Sequence, residues 1–143
     1  MPTMKITVKM ANEALVALNE LNGYPRIVGT GTAEQVVLTR YKFGAACLDI
    51  AKQRAALRGV VDVANEAIAN LFNELADGKY EIDPQATPEI AKQFTIEREA
   101  INTRSIDIDV TPLTISQLRM EENDNLPASA IDVLLQVGLL TSE

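Results

Sequence analysis

Between Thr32 and Asp77 the chain contains no proline, and along that span Val36, Arg40, Phe43, Cys47, Ile50, Arg54, Leu57, Val61, Ala64, Ile68, Leu71 and Leu75 recur at alternating steps of four and three. All but the two arginines are apolar, a spacing that puts one oily seam on one side of a helix. Thr32-Ala33-Glu34-Gln35 has the form of a capping box at the start, and Asp77-Gly78 supplies the stop. A single long helix is therefore expected over 32–77, about 69 Å at roughly 1.5 Å per residue. A compact chain of 143 residues has a radius of gyration of only about 14 to 15 Å. Such a helix either bends, at Gly44 or Gly59, or is covered at its end by another rod. Alanines at 45, 46, 51, 55 and 56 widen the seam and permit a close neighbour.

The flanks supply shorter elements. Met4, Ile6 and Val8 alternate with Lys5, Thr7 and Lys9, which predicts a strand over 4–9. Asn12 then caps a helix over 12–22 carrying Leu15, Leu18 and Leu21, stopped by Asn22-Gly23. After the long helix, Thr87-Pro88-Glu89 starts a helix over 87–104, with Pro88 where its missing N–H costs nothing. The short connection makes the two helices an antiparallel hairpin. Ile106, Ile108 and Val110 alternate with Asp107 and Asp109, predicting a strand over 105–111 whose acids would meet Lys5 and Lys9 across a strand pair. A last helix over 128–137 ends at Gly138, with Leu139 folding back on Leu134. The expected fold class is α+β in one domain, 1–143: predominantly helical, a long-helix antiparallel hairpin with a small two- to three-stranded sheet and a short C-terminal helix.

Composition restricts the chemistry. There is no His, and the lone Cys47 excludes an intrachain disulfide and every cysteine-based zinc cage. In the seam, Cys47 is expected as a buried packing residue, with no imidazole to activate it. Gly29-Thr30-Gly31-Thr32 before a helix is a weak anion-site candidate, since a helix N-terminus favours anions. It lacks the lysine of a nucleotide-binding loop and the third glycine of a dinucleotide fingerprint. Asp107, Asp109, Glu121, Glu122 and Asp124 have no metal-loop spacing and read as solvated carboxylates. No catalytic, cofactor-binding or metal residue is assigned, and no enzymatic activity is expected.

Charge is the more informative pattern. The net charge is −7, so direct nucleic-acid binding and association with anionic membranes are not expected. With no signal-like or membrane-length apolar run, the chain is expected in the cytoplasm or in a particle assembled there. Along the long helix Arg40, Lys42, Lys52, Arg54 and Arg58 come first and Asp62, Glu66, Glu74 and Asp77 last, against the helix dipole. Two antiparallel copies crossing at Arg58 would bring Lys42 to Glu74 and Arg54 to Asp62. Self-association is thus expected through Val36, Arg40, Lys42, Phe43, Ile50, Arg54, Leu57, Val61, Asp62, Ile68, Leu71, Glu74 and Leu75; the alternative is that the 87–104 helix covers the seam. After Arg104, seven acids face only Arg119, an excess suited to a basic protein partner.

The order of Met4-Lys5-Ile6-Thr7-Val8, a Leu-rich helix from Leu15 to Leu21, a long helix closed by Asp77-Gly78, an Ile-x-Ile strand at 106–108 and Pro127-Ala128-Ser129-Ala130-Ile131-Asp132 resembles small phage-encoded α+β proteins of uncharacterised function. The resemblance implies a viral origin, location in the host cytoplasm or virion, and no catalytic residues to carry over. The expected role is a non-enzymatic protein–protein interaction protein, a virion or assembly component that self-associates through its long helix; the alternatives are an acidic inhibitor of a host defence protein and a small-ligand-binding or metal-dependent enzyme.

Overall fold

The computed structural model describes residues 3–21, 24–39, 41–123 and 126–142, with backbone alone over 24–28 and 36–39. The elements run β1 (Thr3–Thr7), α1 (Val8–Leu21), β2 (Tyr24–Val28), β3 (Gln35–Thr39), α2 (Ala46–Ala76), α3 (Pro88–Asn102), β4 (Ser105–Asp109), β5 (Leu113–Thr114), α4 (Ala128–Val137) and β6 (Leu140–Thr141). The mostly helical α+β class is as expected. In place of one small sheet, the described strands form three separate pairs: β1 with β4 and β2 with β3 antiparallel, β5 with β6 parallel.

The first strand is shorter than 4–9 because the helix begins at once. Thr7 accepts the Met10 N–H on its hydroxyl at 3.1 Å, a helix cap. Asn12, expected in that role, lies a turn inside and donates to the Val8 carbonyl at 3.2 Å. Lys9 consequently sits on α1 and not opposite Asp109. Lys5 does pair with Asp107, at 3.5 Å, and Thr3 donates its hydroxyl to Asp109 at 2.9 Å.

The long helix lacks about four of its expected turns at the N-terminal end, at roughly 3.6 residues per turn. Residues 35–39 are a strand, so the expected helix over 32–77 is corrected to Ala46–Ala76. The reason is local: Gln35-Val36-Val37-Leu38-Thr39 is rich in β-branched residues that suit a pleated partner, and Ile27-Val28 supplies one. Gly29, at φ +93°, turns the chain between them, and a Cβ there would come within 2.5 Å of the Ala33 carbonyl oxygen, so only glycine fits. Gly44, at φ +60°, breaks the chain before α2, whereas Gly59 lies within the helix without interrupting it. Asp77 ends α2 in the left-handed conformation.

At 31 residues, α2 is about 46 Å long at roughly 1.5 Å per residue. Its first half is covered by α1, which is backed in turn by α4. Ala11, Ala14, Ala17, Leu18 and Leu21 of α1 are buried, as are Ile50, Leu57, Val61 and Ala64 of α2 and Ile131 and Leu134 of α4. The small alanines let α1 approach closely, and α1 packs against both α2 and α4. The second half of α2 is covered by α3, where Phe72 meets Phe94 edge-on with ring centres 5.9 Å apart. At the chain's end, Leu139 N–H reaches the Leu134 carbonyl at 2.9 Å, the closure expected of a helix ending in glycine.

Two buried amides tie distant segments together. Asn123 accepts the Lys42 N–H and donates to the carbonyls of Lys42, Leu118 and Arg119. Gln53, in the first third of α2, donates to the carbonyls of Thr111 at 2.9 Å and Leu139 at 3.1 Å. Replacing Asn123→Ala removes the side-chain partner of the Lys42 N–H and of the Lys42 and buried Leu118 carbonyls, and we expect a loss of about 2–3 kcal/mol in urea unfolding. Asn123→Asp turns a donor into an acceptor facing three carbonyls and should cost at least as much; an Asp variant as stable as wild type would refute the role given to the Asn123 amide.

Candidate functional site

The seam is inside the molecule. Phe43, Ile50, Leu57 and Val61 are buried by the chain's own elements, and Ile68, Leu71 and Leu75 are half-buried. Of the expected self-association surface, Phe43, Ile50, Leu57 and Val61 are thus already packed in this chain's own core, and Ile68, Leu71 and Leu75 keep part of their surface open. Among its charges, Lys42, Asp62 and Glu74 are exposed, while Arg54 is held by Asn19 at 2.9 Å. Arg40 lies outside the described residues, and Val36 belongs to β3 rather than to the helix.

Gly29, Thr30, Gly31 and Thr32 are exposed in the turn between β2 and β3, where Gly31–Ala33 forms one short 3₁₀ turn. The helix N-terminus that motivated an anion site is absent from this place, since α2 begins at Ala46. Among the described residues, no three His, Cys, Asp or Glu side chains gather where a metal ion could sit. Asp107 and Asp109 point outward from β4, Glu121 and Glu122 lie in a turn, and Asp124 is outside the described residues.

Cys47 is exposed, which corrects the expected burial. With the helix starting at Ala46, the face that packs inward runs through Ala46, Ile50, Gln53 and Leu57. Cys47 is one residue, about 100°, off that face.

What the structure does assemble is an apolar groove beside an open sheet edge. One hollow of about 410 Å³ lies between α2, α3 and the start of β4, walled by Val63, Ala67, Leu71, Ala100, Ile101 and Ile106. A second, of about 440 Å³, continues from Val63 and Ile106 along β4, with Ala56, Gly59 and Val60 as its helical wall. Val63 is 67% exposed at their junction, and Ile96 on α3 is 58% exposed. Apolar surface that is concave and contiguous marks a contact site more often than scattered single residues do. Periodicity could not show it, because it is made by α2's outer face, α3 and β4 together; the small residues Ala56 and Gly59 were the only trace in the sequence.

No helix among the described residues is long and apolar enough to cross a membrane. No protein-family model matches the chain, and neither the curated proteins nor the solved structures yield a match.

An exposed thiol reacts without unfolding. We expect Cys47 in the native protein to consume one equivalent of Ellman's reagent at a rate close to that of the urea-unfolded chain, whereas a thiol packed in the core would be released only on denaturation.

Proposed function

We propose that this protein is a non-enzymatic interaction protein that works by holding another protein, in the manner of a phage virion or assembly component. The observation that carries this is the state of α3. A helix of 15 residues containing Ile90, Phe94, Ile96 and Ile101 has no buried residue, although it is packed on α2. Ile90, Phe94 and Ile101 are only half-buried and Ile96 is exposed, whereas apolar side chains on a helix are ordinarily covered; a partner seated along the α2–α3 groove would complete the cover of Ile101 and Val63. The resemblance in layout to small phage-encoded proteins supports placing that contact in particle building.

A second reading, an acidic inhibitor of a host protein, is favoured by the charge of the last third. Asp107, Asp109, Glu121, Glu122 and Asp132 are all exposed, and an acidic surface steers toward a basic one. Both readings use the same kind of contact, made with protein.

The test is a tagged copy produced in its native cell and sedimented from the extract. Wild type should travel in a complex heavier than its own 15.6 kDa, and Val63→Glu should travel alone. Because Val63 is largely exposed, that change should leave the unfolding free energy of the pure protein within about 0.5 kcal/mol of wild type. A wild-type chain that sediments alone would overturn the reading.

A further inference from the structure

We propose that the outer edge of β4 takes an extended segment of the partner as an added strand, and that this segment alternates apolar and basic residues. The inference rests on the reading of the protein as a partner-binding component and names the site and the chemistry it selects.

The register gives the edge. Val8 N–H donates to the Arg104 carbonyl at 3.3 Å, and β1 pairs with β4 so that Met4 faces Ile108, Lys5 faces Asp107 and Ile6 faces Ile106. In an antiparallel pair, hydrogen-bonded couples recur every second residue. Ile6 with Ile106 and Met4 with Ile108 therefore exchange the backbone bonds. Ser105, Asp107 and Asp109 direct their N–H and C=O groups the other way, to an edge that no described strand occupies. That edge faces the groove walled by Ala56, Gly59, Val60 and Val63. A Cβ on Gly59 would meet nothing within 4 Å, so the wall is recessed where a strand's side chains would enter.

The two faces of the edge set the partner's sequence. Ile106 and Ile108 point inward and Asp107 and Asp109 outward, as the half-buried, exposed, buried, exposed run from 106 to 109 shows. A residue opposite Asp107 on an added strand would stand on the acidic outer face, and its neighbours would point toward the apolar wall. The other edge of β4 already displays this code: Lys5 sits over Asp107 at 3.5 Å, flanked by Met4 and Ile6. A second copy adding its own β4 in the same register would set Asp107 against Asp107, which is repulsive. Charge complementarity thus selects a basic strand over a copy of β4. Strand addition of this kind draws affinity from main-chain bonds and specificity from alternate side chains.

The experiment is an amide-resolved NMR titration of the full chain with a blocked peptide copying residues 3–8, and with the same peptide carrying Glu in place of its Lys. The basic peptide should shift the amides of Ser105, Asp107 and Asp109 more than those of Ile106 and Ile108, with the Glu peptide weaker by roughly fivefold or more. Gly59→Leu, which should fill the recess and favour the helix, should abolish the shifts. Equal binding of both peptides, binding indifferent to Gly59→Leu, or shifts confined to β1 would each overturn the proposal. So would self-association of the pure protein that Gly59→Leu removes, which would assign the edge to a second copy. If Val63→Glu frees the protein from its cellular complex while the peptide fails to bind, the strand proposal falls and the interaction role stands.

Discussion

The structure depends on covering a helix that is longer than the body it belongs to. A compact fold of this size has a diameter of roughly 37 Å, from a radius of gyration of about 14.5 Å, while α2 runs to about 46 Å. Close helix contact solves half of the problem. Ala11, Ala14 and Ala17 put α1 tightly against the stripe that includes Ile50, Leu57 and Val61, and α4 closes the other side of α1. Beyond Ala64 no residue of α2 is buried until Ala76. There α3 supplies a thin cover, held by Phe72 against Phe94 with the Arg98 guanidinium 5.3 Å from the Phe94 ring centre. The groove and the uncovered face of α3 follow from this shortfall.

Much of the C-terminal half was legible because its signals are local. Ala128–Val137 ends as its glycine and following leucine require. Pro88 opens α3, and the alternation at Ile106 and Ile108 with outward acids gives β4 its faces. The failure between Thr32 and Ala45 has an equally local cause. Val36 and Phe43 satisfy a helical count by position alone, while Val36-Val37-Leu38-Thr39 satisfies a strand by residue type, and a partner strand decides between them. Two matches to a seam are weak against a β-branched run flanked by glycines. The shift of the helix start to Ala46 then accounts for Cys47 turning outward.

The buried amides and the groove were beyond reach for another reason. Asn123 is joined to Lys42 across 81 positions and Gln53 to Leu139 across 86, and no sequence period encodes such separations. Gln53 in particular interrupts the apolar face of α2 at a point where it looks like an error of patterning. It is instead the donor that the Thr111 carbonyl needs, beside a Leu139 carbonyl already bonded to the Leu113 N–H. A buried polar residue that satisfies two backbone carbonyls fixes the position of β5 and the α4 terminus relative to α2.

The acids on β4 admit two physical roles, and the surroundings separate them. Charged residues on an open strand commonly serve to prevent accidental pairing. Protection of that kind works best when the neighbouring surface is polar or the edge is physically covered. Here the edge is bordered along its length by Ala56, Gly59, Val60 and Val63, a wall that rewards any strand whose inward residues are apolar. Asp107 and Asp109 then repel an acidic competitor and favour a basic strand over a neutral one, so that the same two carboxylates act as a barrier against copies of this acidic chain and as a selector for a strand of opposite charge.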